Sequence, residues 1–431
     1  MSLSAKKIKL TKLERYWILY DVGNSAFILL TATLLPIYFH YLGDLANLSS
    51  VEYLSYWGYT TSIVTLIVAC IGPVLGSLSD TKGYKKKLFL CSILIGSISC
   101  ALLGSAKSWL VFLIIFCITK LGVSTSLIFY DSMLTDITEK DRVDIVSAQG
   151  YAWGYIGSCI PFGVSLILVL GGSQFGISFE TAMICTFILI GSWWFVVSIP
   201  LLKNYKQRQY VEVQEKVIIN SFKRIIDTFR DIRKEKHIFL FLLAFFFYID
   251  GVYTIIDMAT AYGEALGLDS TGLLMALLVT QIVAFPSSIA FGYLSRKYEN
   301  RNLIAICIIA YTGIAIFGYF LHTQTQFWIL AVCVGLFQGG IQALSRSYFA
   351  QIIPANKSGE YFGLLDICGK GASFLGTAMV SVVSQLSGSI NLGVGVISVL
   401  FVIGFILFYI SSIYRKELSS LALHTDQQVD V

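Results

Sequence analysis

The sequence predicts an all-α membrane protein of twelve transmembrane helices, arranged as two pseudo-symmetric six-helix bundles. Hydrophobic residues make up 56% of the chain and charged residues 13%, whereas an ordinary soluble domain carries about 25% charged residues. Twelve apolar segments reach the roughly 20 residues that a helix needs to cross a bilayer. The one long polar interval, residues 203–237, lies near the midpoint and has six of these segments on each side.

The segments are continuously apolar, which favours helices over the alternating strands of a β-barrel. They are residues 17–42, 54–79, 87–105, 109–131, 145–170, 181–202, 238–262, 271–294, 302–321, 327–350, 359–386 and 390–414. We expect four parts along the chain: an N-terminal six-helix half at 1–202, a cytoplasmic linker at 203–237, a C-terminal six-helix half at 238–416 and a polar cytoplasmic tail at 417–431.

Positive charge is concentrated on one side of the predicted bundle. If both termini lie on the same side as the linker, that side holds 28 of the 31 Lys and Arg residues when Arg346 is counted at its membrane edge, and the outer loops hold only Lys107. Loops rich in Lys and Arg stay in the cytoplasm. We therefore expect a multi-pass plasma membrane protein (in a bacterium, the inner membrane) with both termini cytoplasmic. The charges are dispersed over several loops rather than gathered on one face, so we expect no nucleic-acid partner.

The linker itself is basic, with ten Lys and Arg residues against five acids. Apolar residues from Ile218 to Ile232 recur at helical spacing between these charges, which predicts a basic amphipathic helix along the inner leaflet. We expect this helix to act as a tether between the two halves.

The cysteines indicate neither a metal site nor a disulfide framework. All nine lie within or at the edges of predicted helices, and no C-x-x-C occurs, so packing is their default role. We expect no metal, no cofactor and a monomer. Its partners would be a small-molecule substrate, protons and membrane lipids.

An acidic residue lies inside the first segment. Asp21, Asn24 and Ser25 share one face of the predicted helix, because they are three or four residues apart. An acid within a span costs about 2.5–3.5 kcal/mol on insertion scales, so we expect Asp21 to face a hydrated cavity or a partner. The alternative is a position near the inner interface, where Asp21 would stay hydrated.

The loop after the second segment reads GSLSDTKGYKKK from Gly76 to Lys87. Gly76 permits close helix approach, and Gly83 permits a tight turn. The loop resembles the signature loop between the second and third helices of the major facilitator superfamily, G-x-L-(A/S)-D-(R/K)-x-G-R-(R/K). In that family the acid and the basic residues form a charge latch on the cytoplasmic side.

The resemblance implies a cytoplasmic gate, whose members would be Gly76, Asp80, Gly83 and Lys85. Thr81 and Tyr84 stand where the family pattern has basic residues. The pairing within the latch is therefore open at this stage.

Two stretches of the second half repeat stretches of the first. Gly292–Arg296 follows the pattern of Gly76–Asp80 at an offset of 216 residues, and Ser345–Phe349 lies over Tyr130–Leu134 at an offset of 215. The two offsets agree within one residue, which indicates duplicated halves, as in transporters built from parallel repeats. The second copy lacks the acid and the basic cluster of the first.

The fourth segment carries a lysine and an acid. Lys120 and Asp131 are eleven residues apart and lie on nearly one face, and Ser124 lies between them. A mid-membrane lysine needs an acidic partner. A structural ion pair is the alternative to a functional role for Lys120.

The seventh segment carries two acids. Asp250 and Asp257 are seven residues apart and share a face with Tyr253. Asp250 lies near the middle of the segment and is the first candidate for binding a proton or a substrate amine. An ion pair with Lys120 or Lys370 is the alternative.

The tenth and eleventh segments add a polar stripe and a charge pair. Gln338, Gln342 and Arg346 follow one another at a spacing of four residues, so they share a face. Asp366 and Lys370 are also four residues apart and can neutralise each other.

Three stretches together identify a branch of the major facilitator superfamily. They are YDVGNSAF at 20–27, GLFQGGIQALSRSYFAQIIP at 335–354 and EYFGLLDICGKGASFLG at 360–376. The chain resembles the bacterial "unknown major facilitator" group, which is related to the fungal autophagy-linked vacuolar amino-acid effluxers. The first stretch departs from the family's Y-D-W-A-N-S-A-F at Val22 and Gly23. The resemblance implies alternating access and, from the fungal relatives, amino-acid export.

In that fold, helices 1, 4, 7 and 10 line a central cavity. The resemblance thus implies these substrate-binding residues: Asn24, Lys120, Ser124, Asp250, Tyr253, Gln338 and Gln342. It also implies a proton-coupling or charge network: Asp21, Asp131, Asp257, Arg346, Asp366 and Lys370.

A cavity with acid, base and amide groups suits a small zwitterion such as an amino acid better than a sugar. We expect a secondary active transporter that moves a small polar solute, with proton coupling at Asp250. The alternatives are a lipid, amphiphile or drug exporter of the same fold and, more remotely, a polytopic membrane enzyme. The four histidines form no catalytic-looking cluster, so we expect no catalytic residues.

Overall fold

The computed structural model describes residues 9–48, 50–212, 227, 228, 230, 232 and 235–429, and this part of the chain is almost entirely helical. We number the long helices α1–α12 in chain order. Their bounds are Lys12–Ala32 continued by Leu34–Leu45 (α1), Ser50–Ser79 (α2), Lys85–Leu102 (α3), Trp109–Ser132 (α4), Val143–Gly171 (α5), Phe179–Asn204 (α6), Lys236–Ala265 (α7), Ser270–Leu294 (α8), Asn300–Tyr319 (α9), Gln324–Ile352 (α10), Ser358–Ser387 (α11) and Ile390–Gly395 continued by Ile397–Val429 (α12).

Helix length and composition agree with a membrane protein. Within the described residues, ten helices are long and apolar enough to cross a membrane, and the two parts of α1, bent by 41°, form an eleventh candidate. The apolar part of α11 is shorter, Leu375–Ser387. The twelve helices coincide with the twelve predicted segments. The predicted all-α fold class is confirmed, and the helix count is consistent with twelve spans.

Local sequence explains where two of the helices begin. At α1, the Glu14 N–H donates to Thr11 Oγ1 at 3.2 Å and the Thr11 N–H donates to Glu14 Oε2 at 2.7 Å, which is a capping box. Thr323 and Gln326 form the same motif at α10. Arg142 also binds Glu14, with Nη2 2.6 Å from Oε2. The start of α1 is thus anchored to the loop between α4 and α5.

The N-terminal half (α1–α6) and the C-terminal half (α7–α12) meet where α2 crosses α11. A Cβ atom at Gly76 would lie 2.1 Å from the Gly359 carbonyl oxygen, and one at Gly363 would lie 2.8 Å from Pro73 Cα. Only residues without a side chain allow two backbones to approach this closely. The crossing lies at the end of the bundle where α6 finishes and α7 begins, which we call the linker end.

Helix α5 forms the second contact between the halves. Ser288 Oγ on α8 donates to the Ala148 carbonyl at 2.9 Å, and Ser147 Oγ donates to the Ala343 carbonyl of α10 at 2.8 Å. A Cβ atom at Gly292 of α8 would lie 2.6 Å from Ala148 Cβ. These contacts lie near the start of α5 and near the ends of α8 and α10. Both contacts between the halves therefore close the linker end.

The glycine crossing gives a first prediction. Gly76→Ala should destabilise the closed linker end by about 1–3 kcal/mol, the usual cost of overpacking, because the new methyl group meets backbone rather than a movable side chain. The matched control is Gly313→Ala on α9, where a Cβ atom would meet no described atom within 4 Å. That control should gain up to about 1 kcal/mol from helix propensity. Thermal unfolding of both variants in detergent tests the difference, and equal Tm values would contradict it.

The start of the linker is part of the N-terminal half. Helix α6 continues to Asn204 and α7 begins at Lys236, within two residues of the predicted linker limits. Residues Tyr205–Val211 pack against the loop after α2, as described below. The predicted amphipathic helix, Ile218–Ile232, lies largely outside the described residues; Ile232 is described and is buried.

The end of the chain differs from the predicted polar tail at 417–431. Helix α12 continues to Val429. Residues 415–423 are rich in Leu, Ala, Lys and Glu, which are strong helix formers, so the last helix extends past the predicted limit of the C-terminal half.

Candidate functional site

Asp80, in the loop after α2, binds the start of α11. Its carboxylate is fully buried and accepts hydrogen bonds from the N–H groups of Gly359 at 2.8 Å and Glu360 at 2.9 Å. These groups belong to the first turn of α11, where the helix leaves N–H donors unsatisfied and favours an anion. Asp80 thus joins the N-terminal half to the C-terminal half.

Lys85, at the start of α3, binds the same carboxylate. Its Nζ lies 3.3 Å from Asp80 Oδ1 and 4.0 Å from Asp136 Oδ2, and it donates to Ser358 Oγ at 3.0 Å. Burial raises the pKa of Asp80 above its ordinary value, while Lys85 and the backbone donors favour its charged form. The structure therefore brings the predicted Asp80 and Lys85 together. We call Asp80, Lys85, Asp136 and Ser358 the charge latch.

Asp136 is a member of the latch that the sequence did not reveal. It lies in the short helix Leu134–Ile137 and accepts a hydrogen bond from the Tyr205 hydroxyl. It also accepts from the N–H groups of Arg208 at 3.2 Å and Gln209 at 2.8 Å. Burial raises the pKa of the Tyr205 hydroxyl, so Tyr205 keeps its proton as the donor. Asp136 thus holds the start of the linker against the latch.

The start of the linker also binds directly to the loop between α2 and α3, residues 80–84, which we call the gate loop. The Val211 N–H donates to the Asp80 carbonyl at 2.8 Å, and the Lys82 N–H donates to the Val211 carbonyl at 3.0 Å. Gly83 has a φ of +79°, a left-handed conformation that favours glycine, and its N–H donates to Gln207 Oε1 at 3.0 Å. The predicted turn at Gly83 thus presents its backbone to the linker.

The second half carries an uncharged counterpart of the latch. At the offset of 215 residues Asp136 corresponds to Gln351, and Lys85 corresponds to Asn300 at 215 residues or to Arg301 at the 216 residues of its own loop. Asn300 Nδ2 lies 2.7 Å from Asp144 Oδ1, and Gln351 Nε2 lies 3.0 Å from the same oxygen. Asp144 belongs to the first turn of α5. The second copy therefore takes its acid from the N-terminal half, which explains why its own loop needs none.

Arg346, on α10, inserts between helices of the N-terminal half. Its Nη1 lies 3.1 Å from Asp131 Oδ1 on α4 and 3.6 Å from Asp21 Oδ2 on α1. Nε and Nη2 donate to Ser147 Oγ and to the Ser147 carbonyl, both at 2.9 Å. Asp131 and Arg346 occupy equivalent positions of the repeat. The structure brings together three members of the predicted charge network and buries Arg346 almost completely.

Lys120 and Asp257 carry opposite charges on helices of the two halves. Lys120, on α4, interacts electrostatically with Asp257, on α7. Lys120 is half-buried and Asp257 is exposed, so solvent reaches this pair. Tyr253, one turn before Asp257, is half-buried and lies within electrostatic range of Asp366 on α11. A base of one half thus lies within electrostatic range of an acid of the other half.

The predicted amides and hydroxyl lie on the surrounding helices. The Tyr155 hydroxyl of α5 donates to Gln342 Oε1 on α10 at 2.7 Å, and Gln338 is buried one turn earlier. Asn24 Nδ2 donates to Asp21 Oδ1 at 3.2 Å. Ser124 is buried on α4. Tyr155 is a further site residue, and no spacing in the sequence points to it.

Asp250 lies where α7 meets α11. Its side chain is fully buried and accepts hydrogen bonds from the Gly376 N–H at 3.0 Å and from Thr254 Oγ1 at 3.3 Å. A Cβ atom at Gly376 would lie 2.1 Å from Thr254 Oγ1, so α7 and α11 touch at this glycine. Asp250 therefore lies inside the C-terminal half rather than beside Lys120. The side chain of Lys370, its other predicted partner, lies outside the described residues.

The chain is similar to a known family of membrane proteins. The family model described as "Vacuole effluxer Atg22 like" matches residues 41–419. The chain belongs to the Atg22-like family. This Atg22-like chain is 41% identical over 404 residues to a Bacillus subtilis protein described as an uncharacterized MFS-type transporter, YxiO, covering 93% of the chain and 94% of the relative. The predicted family is confirmed.

More distant relatives extend the comparison. The chain is 24% identical over 302 residues to the autophagy-related protein 22-1 of Aspergillus niger, covering 64% of the chain and about half (48%) of that longer relative. Among solved structures it resembles the major facilitator superfamily transporter FucP in the outward conformation, with a TM-score of 0.71, 13% identity and coverage of 93% and 97% of the two chains. The Atg22-like chain is therefore a multi-pass membrane transporter of the major facilitator fold, and these relatives are transporters rather than enzymes.

Proposed function

We propose that this transporter moves a small zwitterionic solute, an amino acid first of all, by secondary active transport with alternating access. The observation that carries the proposal is the pair formed by Lys120 and Asp257. Each half contributes one charge, and the acid is exposed to solvent. A bound amino acid would place its carboxylate on Lys120 and its ammonium on Asp257, each through a charge-assisted hydrogen bond. Binding would thereby bridge the two halves.

The orientation follows from the distribution of charge. Because Lys and Arg concentrate at the linker end, we place that end, the linker and both termini in the cytoplasm of a plasma membrane. The charge latch and the contacts of α5 close this end. In this orientation the described conformation is outward-facing. The likeness to FucP, whose structure is in the outward conformation, supports that assignment.

Counterflow in liposomes tests the proposed substrate class. The purified protein, loaded with one unlabelled amino acid, should exchange it for external labelled amino acids in a saturable way. An inward proton gradient should change the uptake rate. Uptake of lipids or amphiphiles without exchange of any amino acid would contradict the proposal and favour an exporter of apolar molecules.

We place the proton-binding group at Asp250. Its carboxylate is buried and accepts the Gly376 N–H where α7 meets α11, so protonation would weaken a hydrogen bond between two closely packed helices. A proton bound there would alter helix packing without touching the solute. This separates the coupling group from the solute-binding charges.

Asp250→Asn tests this assignment. The amide has nearly the shape of the acid but does not titrate, so the variant should keep solute counterflow and lose the stimulation by a proton gradient. Asp44→Asn, at an exposed position of α1, is the control for the loss of one carboxylate. Gradient-driven uptake that is unchanged in Asp250→Asn would remove Asp250 from the coupling mechanism.

A further inference from the structure

We infer that the N-terminal half contains a binding site for an organic monocation, and that the guanidinium of Arg346 fills it in the described conformation. The cage consists of two carboxylates and three aromatic rings: Asp21, Asp131, Trp17, Tyr130 and Tyr151. A solute that carries an ammonium or guanidinium group would take the place of Arg346 when the linker end opens. The inference rests on the proposed alternating access and extends it to a second cation site.

The aromatic walls of the cage surround the guanidinium. Arg346 Cζ lies 4.6 Å from the ring centroid of Trp17, 5.6 Å from that of Tyr130 and 4.2 Å from that of Tyr151. Rings at these distances attract organic cations, including guanidinium and alkylammonium groups. All three rings belong to the N-terminal half, whereas Arg346 belongs to α10.

The cage holds its shape through bonds of the N-terminal half alone. The rings of Trp17 and Tyr130 stack with centroids 4.3 Å apart and an interplanar angle of 13°, and Trp17 Nε1 donates to the Tyr130 carbonyl at 2.9 Å. Asn24 orients the Asp21 carboxylate through its other oxygen. These bonds do not involve Arg346, so the cage persists when α10 moves away.

Charge balance requires a replacement for Arg346. Asp21 is only 5% exposed, and among the described residues its Oδ2 has no hydrogen-bond partner; the Arg346 Nη1 is 3.6 Å away. The negative charge of Asp366 on α11 also acts on Asp131. With Arg346 withdrawn, two neighbouring carboxylates would face the opened cavity without a counter-charge, an arrangement that favours a bound cation.

Gly150 of α5 leaves the room for a flat cation. A Cβ atom there would lie 2.9 Å from Asp21 Oδ2, 2.9 Å from the Trp17 ring and 3.0 Å from Arg346 Nη2. A larger residue would therefore fill the space next to the guanidinium. The shape, the charge and the aromatic walls of the cage all match a planar or small organic cation rather than a hydrated metal ion.

Removal of Arg346 exposes the cage to an external ligand. We would measure binding of ethylguanidinium chloride by calorimetry to Arg346→Ala and to the wild type, with NaCl added to equal ionic strength. Binding should be saturable in Arg346→Ala and at least tenfold weaker in the wild type, where Arg346 competes. Arg301→Ala removes an arginine that pairs with Glu299 on α9, outside the cage, and should behave like the wild type.

A second substitution tests whether the cage is the site. Asp131→Asn in the Arg346→Ala background should weaken ethylguanidinium binding at least tenfold. Equal binding in both variants would overturn the inference. The absence of binding to folded Arg346→Ala would also overturn the inference, because it would mean that Asp21 and Asp131 are neutralised by protons rather than by an organic cation.

Stability gives an independent readout if Arg346→Ala folds poorly. A cation that binds only the folded state raises Tm, so ethylguanidinium at millimolar concentration should raise the Tm of Arg346→Ala or Arg346→Gln relative to NaCl, and should not raise that of Arg301→Ala. No rise in either Arg346 variant would overturn the inference. These experiments involve no transport, so cation binding without amino-acid counterflow would defeat only the proposed substrate.

Discussion

Replacing Asp80 by Asn is expected to open the linker end. Asn keeps the size of the side chain but removes the charge that Lys85 and the start of α11 share. Breaking a buried ion pair from one side costs about 3–5 kcal/mol, because the remaining charge stays buried without its partner. Here Lys85 would retain Asp136 at 4.0 Å and Ser358. A change of this size in the free-energy difference between the closed and open conformations converts a closed population into a mainly open one.

The opening can be measured as a distance between the halves. Lys140 and Lys297 are exposed near the linker end, one in each half, so spin labels at these positions in a cysteine-free background report the separation. We expect a longer main distance in Asp80→Asn than in the parent protein. Lys82→Ala is the control, because it breaks the exposed pair of Lys82 with Glu212 in the same loop, and exposed pairs contribute little.

A double substitution separates lost charge from lost capping. Asp80→Asn with Lys85→Met removes both members of the 3.3 Å pair, and Asp136 keeps its hydrogen bonds from Tyr205 and from the N–H groups of Arg208 and Gln209. The double variant should recover part of the closed population, but not all of it, since the charged acceptor at the start of α11 is still missing. A double variant that opens further than Asp80→Asn would show that Lys85 stabilises the closed end by other contacts.

Neutralising Lys120 or Asp257 is expected to reduce amino-acid counterflow by about 10–100-fold. This range corresponds to the loss of a hydrogen bond to a charged group, about 1.5–3 kcal/mol. Lys120→Gln should remove the partner of the solute carboxylate, and Asp257→Asn should remove the partner of its ammonium. Initial rates of counterflow in liposomes give the comparison.

Controls of equal charge change are available outside the site. Lys107→Gln alters an exposed lysine in the loop after α3, and Asp44→Asn alters an exposed acid on α1. Both should keep the parent rate. If these controls lose as much activity as the site variants, the effect is general electrostatics rather than solute binding.

Exchanging the two charges distinguishes a structural ion pair from a binding pair. A variant with Lys120→Asp and Asp257→Lys keeps an attractive pair between α4 and α7. If the pair only holds the halves together, the exchange should restore transport. If each charge binds one end of an oriented solute, whose remaining contacts are fixed in space, transport should stay low. Recovery to the parent rate would reject the proposed binding mode.

The fold could be predicted because the bilayer limits which backbone structures can cross it. Each long apolar run must form a helix that satisfies its own backbone, so twelve runs are enough to predict an all-α bundle. Asp80 and Lys85 could be assigned to one gate because they belong to a recognisable sequence pattern, although their pairing stayed open until the structure showed it. Asp136, the second carboxylate near Lys85, could not be predicted, since it is held by Tyr205 and by backbone N–H groups of the linker.

Helix faces were harder to assign than helices. Asp250 and Asp257 are seven residues apart and share a nominal face, but they lie about 10 Å apart along the axis at 1.5 Å per residue. Asp250 lies where α7 touches Gly376, whereas Asp257 is exposed. Sequence spacing gives the rotation of a side chain about its helix, while the position of the neighbouring helix decides what that side chain meets. The cage around Arg346 was missed for the same reason.

The docking of Tyr205–Val211 on the gate loop changes the mechanics of the connection between the halves. The segment pairs with Thr81 and Lys82 through Val211, so the first residues after α6 are bound to the N-terminal half. A pull transmitted along the backbone from α7 would act on Val211 first and, through it, on the Asp80 carbonyl. The connection between the halves is therefore attached to the same loop that carries Asp80, so displacement of Val211 would disturb the backbone of the gate itself.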